Sequence, residues 1–262
     1  MEGVVLETVL QNLRAQGRRL LVPYVMAGVD PDWLSLVDLV VECGADAVEI
    51  GIPFSDPSMD GPVIQRAGEL SLARGVTPLS VLSELRSRSF SVPVVVMTYY
   101  NLFHHMGIER AVTELRRSGV DGVIIPDLPI EEVGEWRTAA GKAQLETVQL
   151  VSPATSLERL DAIVAVAEGF VYGVGLMGVT GERAELAETA TAIAARIRPR
   201  TSLPVLIGIG ISSGAQAAAV VEAGADGVVV GSALLRRVLE GQSPTELASF
   251  VSEIRSSLDQ AR

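Results

Sequence analysis

The sequence is poor in the side chains on which Schiff-base and metal-dependent enzymes depend. It has one lysine, Lys142, two adjacent histidines, His104 and His105, and one cysteine, Cys43. A Schiff-base mechanism needs a lysine at the end of a strand, and Lys142 falls at a predicted helix end. Two neighbouring histidines in one loop cannot supply converging ligands, so a metal site would consist almost wholly of carboxylates. These absences favour acid–base chemistry without a metal.

Long apolar runs and an excess of positive charge are also absent. The 262 residues are 48% hydrophobic, which allows a large core, and they carry a formal net charge of −11. Such an acidic chain is poorly suited to bind nucleic acid or an anionic membrane. The apolar runs are short and no signal-peptide pattern is visible, so we expect a cytoplasmic protein. The single cysteine excludes an internal disulfide and fits a reducing compartment.

Strand-like and helix-like segments alternate along the chain. Apolar, β-rich segments predict eight strands, at 20–28, 45–50, 92–100, 120–129, 145–153, 169–175, 203–212 and 225–232. Helical spacing is found at 4–16, 31–43, 62–74, 77–88, 108–118, 131–143, 156–167 and 184–198, then up to 223 and again after 232. Similar sequences, GADAVEI, GVDGVII and GADGVVV, begin three of the strands.

This alternation predicts an α/β fold with a parallel sheet. Eight units in about 250 residues is the size of a (β/α)8 TIM barrel. A doubly wound open sheet is the alternative, and the lack of a GxGxxG turn after the first strand weakens it. No linker or low-complexity segment is visible. We therefore predict a single TIM-barrel domain over residues 1–262, with an extra N-terminal helix.

The segment EIGIPFSDPSMDGPVIQ, residues 49–65, carries the clearest chemical signal. Glu49 ends an apolar strand, where a carboxyl group is costly to bury unless its pKa rises or it finds partners. Asp60 follows on a loop rich in proline and glycine, just before a predicted helix. Two carboxyl groups in different environments at one cavity are the arrangement that acid–base catalysis needs.

Other polar residues and glycines also collect at predicted strand ends, where a TIM barrel carries its active site. The polar residues are Tyr99, Asn101, Asp127, Tyr172 and Thr180, and for Asp127 a role as a loop or helix-cap carboxylate is at least as plausible. The glycine clusters are GVTG at 178–181, GIGIS at 208–212 and GS at 231–232. Backbone N–H groups at such loops and at the following helix N-termini attract an anion. The pattern predicts a phosphorylated small-molecule substrate.

Over nearly its whole length the sequence resembles the α subunit of tryptophan synthase. The motifs that carry the resemblance are EIGIPFSDPSMDGPVIQ, VVMTYYNLF, GVDGVIIPDLPIEE, VYGVGLMGVTG, GIGIS and GADGVVVGSA. The resemblance implies a lyase that performs retro-aldol cleavage of indole-3-glycerol phosphate to indole and glyceraldehyde 3-phosphate. It further implies no cofactor on this chain, and a β subunit with pyridoxal phosphate as the partner in an α2β2 heterotetramer of tryptophan biosynthesis.

The resemblance also assigns roles residue by residue. Glu49 corresponds to the main acid–base group at indole C3 and the glycerol hydroxyl, and Asp60 to the carboxylate that assists at the indole N–H. Tyr172, the third catalytic candidate, matches a position near these carboxylates. The substrate-binding candidates are Thr180, also near the carboxylates, the phosphate cradle of Gly181, Gly210, Gly231 and Ser232, and the indole-pocket residues Tyr24, Met97 and Tyr99.

Several residues depart from the family's usual pattern. Met59 precedes the second carboxylate where alanine is common, Met26 replaces a threonine, and Val29 is inserted. The segment around Asp56 to Met59, which includes Ser58, is by resemblance where the β subunit communicates with the α active site. Three hypotheses therefore stay open: an α subunit with a β partner, a stand-alone indole-3-glycerol phosphate lyase of secondary metabolism, and a non-catalytic phosphate-binding barrel that regulates a β subunit.

Overall fold

A computed structural model describes residues 6–174, 183–208 and 210–261 of the chain. Its eight strands form one closed barrel, in which each strand pairs in parallel with the next and the last pairs with the first. The strands are β1 Leu20–Met26, β2 Val48–Gly51, β3 Val94–Met97, β4 Gly122–Ile124, β5 Glu146–Val151, β6 Val171–Val174, β7 Val205–Gly208 and β8 Gly227–Val230. The predicted TIM barrel is confirmed.

Helices follow every strand and surround the barrel. Those in the described part of the chain are α1 Leu6–Ala15, α2 Trp33–Glu42, α3 Pro62–Ala73, α4 Pro78–Arg86, α5 Tyr100–Met106, α6 Ile108–Arg117, α7 Gly134–Lys142, α8 Leu157–Val164, α9 Arg183–Ile197, α10 Gly214–Glu222, α11 Ser232–Leu239 and α12 Pro244–Gln260. A short 3-10 helix, Arg198–Arg200, follows α9. Within the described ranges, no helix combines the length and the apolar character needed to cross a membrane.

Proline and hydroxyl side chains fix where several helices begin. Pro62, Pro78 and Pro244 each occupy the start of a helix, where the missing backbone N–H has no intrahelical partner to lose. Thr77 and Ser243 form capping boxes at α4 and α12. The side chain of each accepts the backbone N–H of the third helical residue, whose own side chain accepts the backbone N–H of the capping residue. These starts follow directly from the local sequence.

Alternation along the strands divides the core into an inner and an outer layer. Leu20, Val22 and Tyr24 of β1 face the barrel interior, whereas Leu21 and Val25 face the helices. The inner layer also contains Ala47, Val95, Ile124, Val148, Phe170, Leu206 and Val229. These apolar side chains fill the interior, so the barrel is a packed core and the open space lies at its ends.

The N-terminal helix α1 closes the end of the barrel where the strands begin. Leu6 and Leu10 are completely buried against the inner layer. At the N-terminus of α1, Glu146 accepts the backbone N–H of Glu7 at 2.9 Å. The predicted extra helix is therefore confirmed, and it leaves only the opposite end of the barrel open for a site.

Four carboxylates stabilise the closed end. Each stands shortly before an even-numbered strand and accepts a backbone N–H from the start of the preceding odd-numbered strand. The pairs are Asp46 with Leu21 at 2.9 Å, Asp121 with Val94 at 3.0 Å, Glu168 with Thr147 at 2.9 Å and Asp226 with Val205 at 2.8 Å. The aspartate in each repeated sequence, GADAVEI, GVDGVII and GADGVVV, is one of these acceptors. The repeats therefore record a structural requirement and not a catalytic one.

The predicted third strand is too long. It was expected to reach residue 100, but β3 ends at Met97 and α5 begins at Tyr100. The residues Thr98, Tyr99 and Tyr100 have a high strand propensity, but tertiary contacts override that preference. Asp127 accepts the Tyr100 N–H at 2.8 Å and so stabilises the helix start, which makes Asp127 a cap carboxylate. Asn101, predicted at a strand end, is an exposed residue of α5.

Candidate active site

The inner face of the barrel changes from apolar to polar at the open end. Glu49 lies two residues beyond Ala47 on the same face of β2, and Tyr172 lies two residues beyond Phe170 near the start of β6. Because side chains alternate along a strand, these positions form the last layer of the interior. The strand ends therefore bring polar groups together over an apolar floor.

Glu49 is a buried carboxyl group with unused hydrogen-bonding capacity. It is 1% exposed, and its Oε2 atom has no partner among the residues that the structure describes. Burial, and to a lesser extent the negative charge of Asp60, raises the pKa of Glu49 to about 8. Glu49 is therefore mostly protonated at neutral pH and can donate a proton.

Asp60 is the second carboxyl group, on the loop that leads into α3. It is half-buried and directly precedes Gly61, the residue that caps α3. Burial raises the pKa of Asp60 to about 6, and a hydrogen bond with the Tyr99 side chain opposes that rise. Asp60 is thus mostly ionised at neutral pH while Glu49 is not, so the two carboxyl groups have separate chemical roles.

Tyr99 holds the Asp60 loop in place. Its hydroxyl oxygen accepts the Met59 backbone N–H at 2.9 Å, and its ring stacks on Phe54 with centroids 4.9 Å apart. Gln65 adds a third restraint, because its Nε2 donates to the Asp60 carbonyl oxygen at 2.9 Å. Tyr99 was predicted to line a pocket. It does, and it also orients the loop.

One cleft contains Asp60 and several of the predicted residues. Its lining is formed by Tyr24, Met26, Ile52, Phe54, Pro57, Asp60, Ile64, Gln65, Gly68, Met97, Thr98 and Tyr99. Tyr24, Met97, Tyr99 and Asp60 were predicted, and the other residues were missed. Spacing could have found some of them, since Ile64 and Gly68 are one helical turn apart on α3. The lining combines apolar and aromatic side chains with the polar groups of Asp60, Gln65 and Thr98.

Tyr24 and Tyr172 each place the hydroxyl group close to a glycine of the neighbouring strand. A Cβ at Gly51 would lie 1.9 Å from the Tyr24 hydroxyl oxygen, and a Cβ at Gly208 would lie 2.5 Å from that of Tyr172. Only glycine leaves room for either side chain. Burial raises the pKa of both tyrosines well above the ordinary value, so both remain protonated hydrogen-bond donors.

The glycine-rich loops lie after β7 and β8. Gly210 has a φ of +55°, the left-handed region that favours glycine. Gly231 caps α11 and Ser232 begins it, so the free N–H groups of this helix start at the end of β8. A Cβ at Gly231 would approach the Tyr24 Cβ to 3.4 Å. Thr180 and Gly181, the other predicted binding residues, lie outside the described residues.

The residues that depart from the family pattern occupy different environments. Met59 is 51% exposed and does not line the cleft, so it leaves the cleft width unchanged. Met26 is buried in the lining. Val29 is also buried, and Arg74 donates to the carbonyl oxygens of Gly28 and Val29, which fixes the loop after β1.

Metal-ligating residues do not gather at this site. Across the described ranges, no three histidine, cysteine, aspartate or glutamate side chains converge as metal ligands. The chemistry that the described groups support is proton transfer between the two carboxyl groups and a bound ligand.

Comparisons with known proteins point to one family. The family model described as tryptophan synthase alpha chain matches residues 10–261. The tryptophan synthase alpha chain of Roseiflexus is 45% identical over 252 residues, which are 93% of this chain and 95% of that protein. The one from Arabidopsis thaliana is 39% identical over 264 residues, 97% and 96% of the two chains.

Solved structures agree with the sequence comparisons. A chain of Mycobacterium tuberculosis tryptophan synthase superposes with a TM-score of 0.90 at 36% identity, with 98% of this chain and 99% of that chain covered. The tryptophan synthase subunit alpha of Legionella pneumophila superposes with a TM-score of 0.86 at 33% identity, with 97% and 98% covered. Both similarities extend over essentially the whole barrel.

Replacing Glu49 by glutamine tests its environment through stability. The folded-state pKa of about 8 lies above the ordinary value of 4.5, so Glu49 favours folding fully below pH 4.5 and loses that contribution as the pH rises towards 8. Glutamine does not titrate. We expect the unfolding free energy of Glu49→Gln, relative to wild type, to increase between these pH values by ~2–4 kcal/mol.

Urea unfolding at intervals from pH 4.5 to 8.5 measures this difference. The exposed Glu69 provides the control, because Glu69→Gln should differ from wild type by a small amount that hardly varies over this range. A difference between Glu49→Gln and wild type that is constant with pH would contradict the assignment.

Proposed function

The chain belongs to the tryptophan synthase alpha chain family, and we propose that Glu49 and Asp60 carry out the family's reaction here. It is a lyase of tryptophan biosynthesis that cleaves indole-3-glycerol phosphate to indole and glyceraldehyde 3-phosphate. The alpha chain uses no cofactor, and pyridoxal phosphate belongs to the β subunit. The observation that supports the residue roles is the pair of carboxyl groups with pKa values of about 8 and about 6.

The reaction needs one proton donor and one fixed negative charge. Protonated Glu49 gives its proton to indole C3, and the ring nitrogen takes on the positive charge, which the Asp60 carboxylate stabilises. The bond between C3 and the glycerol carbon then breaks, and its electron pair restores the aromatic ring. The hydroxyl on that carbon becomes the aldehyde as its proton passes to Glu49. Glu49 ends protonated, and no oxidant is consumed.

The remaining site residues have supporting roles in this proposal. Tyr172 places a protonated hydroxyl near Glu49, and Tyr24, Met97 and Tyr99 enclose the indole ring. The phosphate binds at the loops after β6, β7 and β8, through the residues Thr180, Gly181, Gly210, Gly231 and Ser232. Support for the last three comes from the left-handed backbone at Gly210 and from the start of α11 at Ser232, where free N–H groups favour an anion.

We also infer the setting in which the enzyme works. The family implies a tryptophan synthase β subunit as partner, and we propose an α2β2 heterotetramer in the cytoplasm. The chain acts as one domain over residues 1–262. The comparisons favour this α-subunit role over a stand-alone lyase and over a non-catalytic barrel. Ser58 and Met59 are exposed on the Asp60 loop, so they can touch a partner without changing the cleft.

Cleavage of indole-3-glycerol phosphate by the purified chain, with and without a β subunit, tests this function. We expect measurable cleavage by the chain alone and strong stimulation by the β subunit. Fast turnover that a β subunit does not change would instead identify a stand-alone lyase. Tight binding of a phosphorylated ligand without turnover in either condition would favour the non-catalytic barrel.

The pH dependence of cleavage should follow the two carboxyl groups. We expect kcat/KM to fall below about pH 6, where Asp60 gains a proton, and above about pH 8, where Glu49 loses its proton.

Glu49→Gln should lower kcat by at least ~100-fold while substrate still binds. Steady-state rates and a binding isotherm measure both effects, with Glu69→Gln as the surface control. Near-full activity of Glu49→Gln would refute the role of Glu49.

Substitution at Gly210 tests the phosphate cradle. Gly210→Asp places a negative charge beside the proposed phosphate site and should raise KM by about tenfold or more, with a smaller effect on kcat. Gly210→Asn is the matched control, because asparagine has nearly the same shape, tolerates the left-handed backbone and carries no charge. Equal KM values for the two variants would show that strain alone acts at this position, and would remove Gly210 from the cradle.

A further inference from the structure

Tyr24 lies directly beside Glu49 on the neighbouring strand. The register of β1 and β2 pairs the two residues, and paired residues on adjacent parallel strands point to the same face of the sheet. The Tyr24 hydroxyl continues past Glu49 as far as Gly51, where a Cβ would lie 1.9 Å from its oxygen. The phenol therefore extends alongside the Glu49 side chain to the mouth of the barrel.

The charges of both carboxyl groups also affect the pKa of Tyr24. Its pKa is raised first by burial and then by the negative charges of Asp60 and Glu49. Of these two carboxylates, only Glu49 raises the pKa of Tyr172, and only Asp60 raises the pKa of Tyr99. The strand register puts Tyr24 beside Glu49, and Tyr24 and Asp60 both line the cleft, so Tyr24 is in the neighbourhood of both carboxyl groups.

The Tyr24 hydroxyl has a weak partner in the described part of the chain. It points to the Met26 sulfur at 3.9 Å, and a thioether is a weak acceptor. On the paired residue of the neighbouring strand, Oε2 of Glu49 has no partner among the described residues. A buried hydroxyl normally forms a full hydrogen bond. These two groups therefore retain bonding capacity that becomes useful when Glu49 is charged.

We propose that Tyr24 is a positioning residue for Glu49, whose hydroxyl turns from the Met26 sulfur to the Glu49 carboxylate whenever that group loses its proton. The inference rests on the proposed function, in which Glu49 is ionised after it protonates indole C3 and before it accepts the hydroxyl proton. A donor at that stage stabilises a charge that burial disfavours. The other titratable groups that act on Glu49 or respond to it, among the described residues, are Asp60 before α3 and Tyr172 on β6.

The first test requires no turnover. The infrared carbonyl band of protonated Glu49, identified by its absence in Glu49→Gln, is titrated in wild type and in Tyr24→Phe. Loss of a donor to the carboxylate should raise the midpoint by about one pH unit, a tenfold change in the ionisation constant. Tyr100→Phe changes a tyrosine outside the cleft and should leave the midpoint unchanged. An unchanged midpoint in Tyr24→Phe overturns the proposal.

A second variant separates the hydroxyl from the sulfur. Met26→Leu keeps the shape of the side chain and removes the weak acceptor. It should lower the Glu49 midpoint, because the hydroxyl no longer gives up its contact with the sulfur when it turns to the carboxylate. An unchanged midpoint would contradict the proposal. A rise like that expected for Tyr24→Phe would mean that the sulfur contact controls Glu49, and the proposal would be wrong. This variant also decides the question if Tyr24→Phe does not fold.

Kinetics supply the third readout. With indole-3-glycerol phosphate, Tyr24→Phe should lower kcat by about tenfold to a hundredfold, change KM less than about threefold, and move the alkaline limb of kcat to higher pH. A raised KM with unchanged kcat would make Tyr24 a ring contact only and overturn the proposal. If the wild-type chain cleaves no substrate, the proposed function fails, and the infrared titration still decides whether Tyr24 acts on Glu49.

Discussion

The burial of Glu49, with no compensating cation among the residues that the structure describes, is the constraint on which the site depends. A carboxyl group in such a place is costly to ionise, so its pKa rises to about 8 and it stays protonated at neutral pH. The same burial that makes Glu49 expensive for stability makes it a proton donor. Gly51 and Gly208 leave room for the two tyrosines beside it, and Tyr99 and Gln65 hold the loop that carries Asp60.

The two ends of the barrel use carboxylates in opposite ways. At the closed end, Asp46 accepts a backbone N–H and forms an ion pair with Arg255 at 3.1 Å. Asp226 accepts the backbone N–H of Val205 and forms ion pairs with Arg14 and Arg198. These groups have both a backbone N–H and a cation as partners, and removal of one would leave that N–H without its acceptor. At the open end, Glu49 has an unpaired oxygen within the described part of the chain. The same residue types are paired at one end and, in the proposed function, transfer protons at the other.

The Asp60 loop connects the chemistry to the surface. Tyr99 anchors the loop through the Met59 N–H and the Phe54 ring, while the Met59 side chain faces outward. Met59, a departure from the family pattern, and its neighbour Ser58 therefore lie on the exposed side of a loop that also holds the half-buried Asp60. A change at the exposed side can alter association while Tyr99 keeps the carboxylate in position.

The sequence by itself determined the barrel and the extra N-terminal helix, and it singled out Glu49 and Asp60, because apolar β-rich runs, helical spacing and a lone acid at a strand end are local signals. The sequence left the role of Asp127 ambiguous. It also did not predict α5, because the residues at its start have a high strand propensity. Only the tertiary structure decided that Asp127 caps α5, that Tyr99 holds the Asp60 loop, and that Tyr24 lies opposite Glu49 over Gly51. Those facts depend on strand register and on contacts between distant residues, which no local pattern encodes.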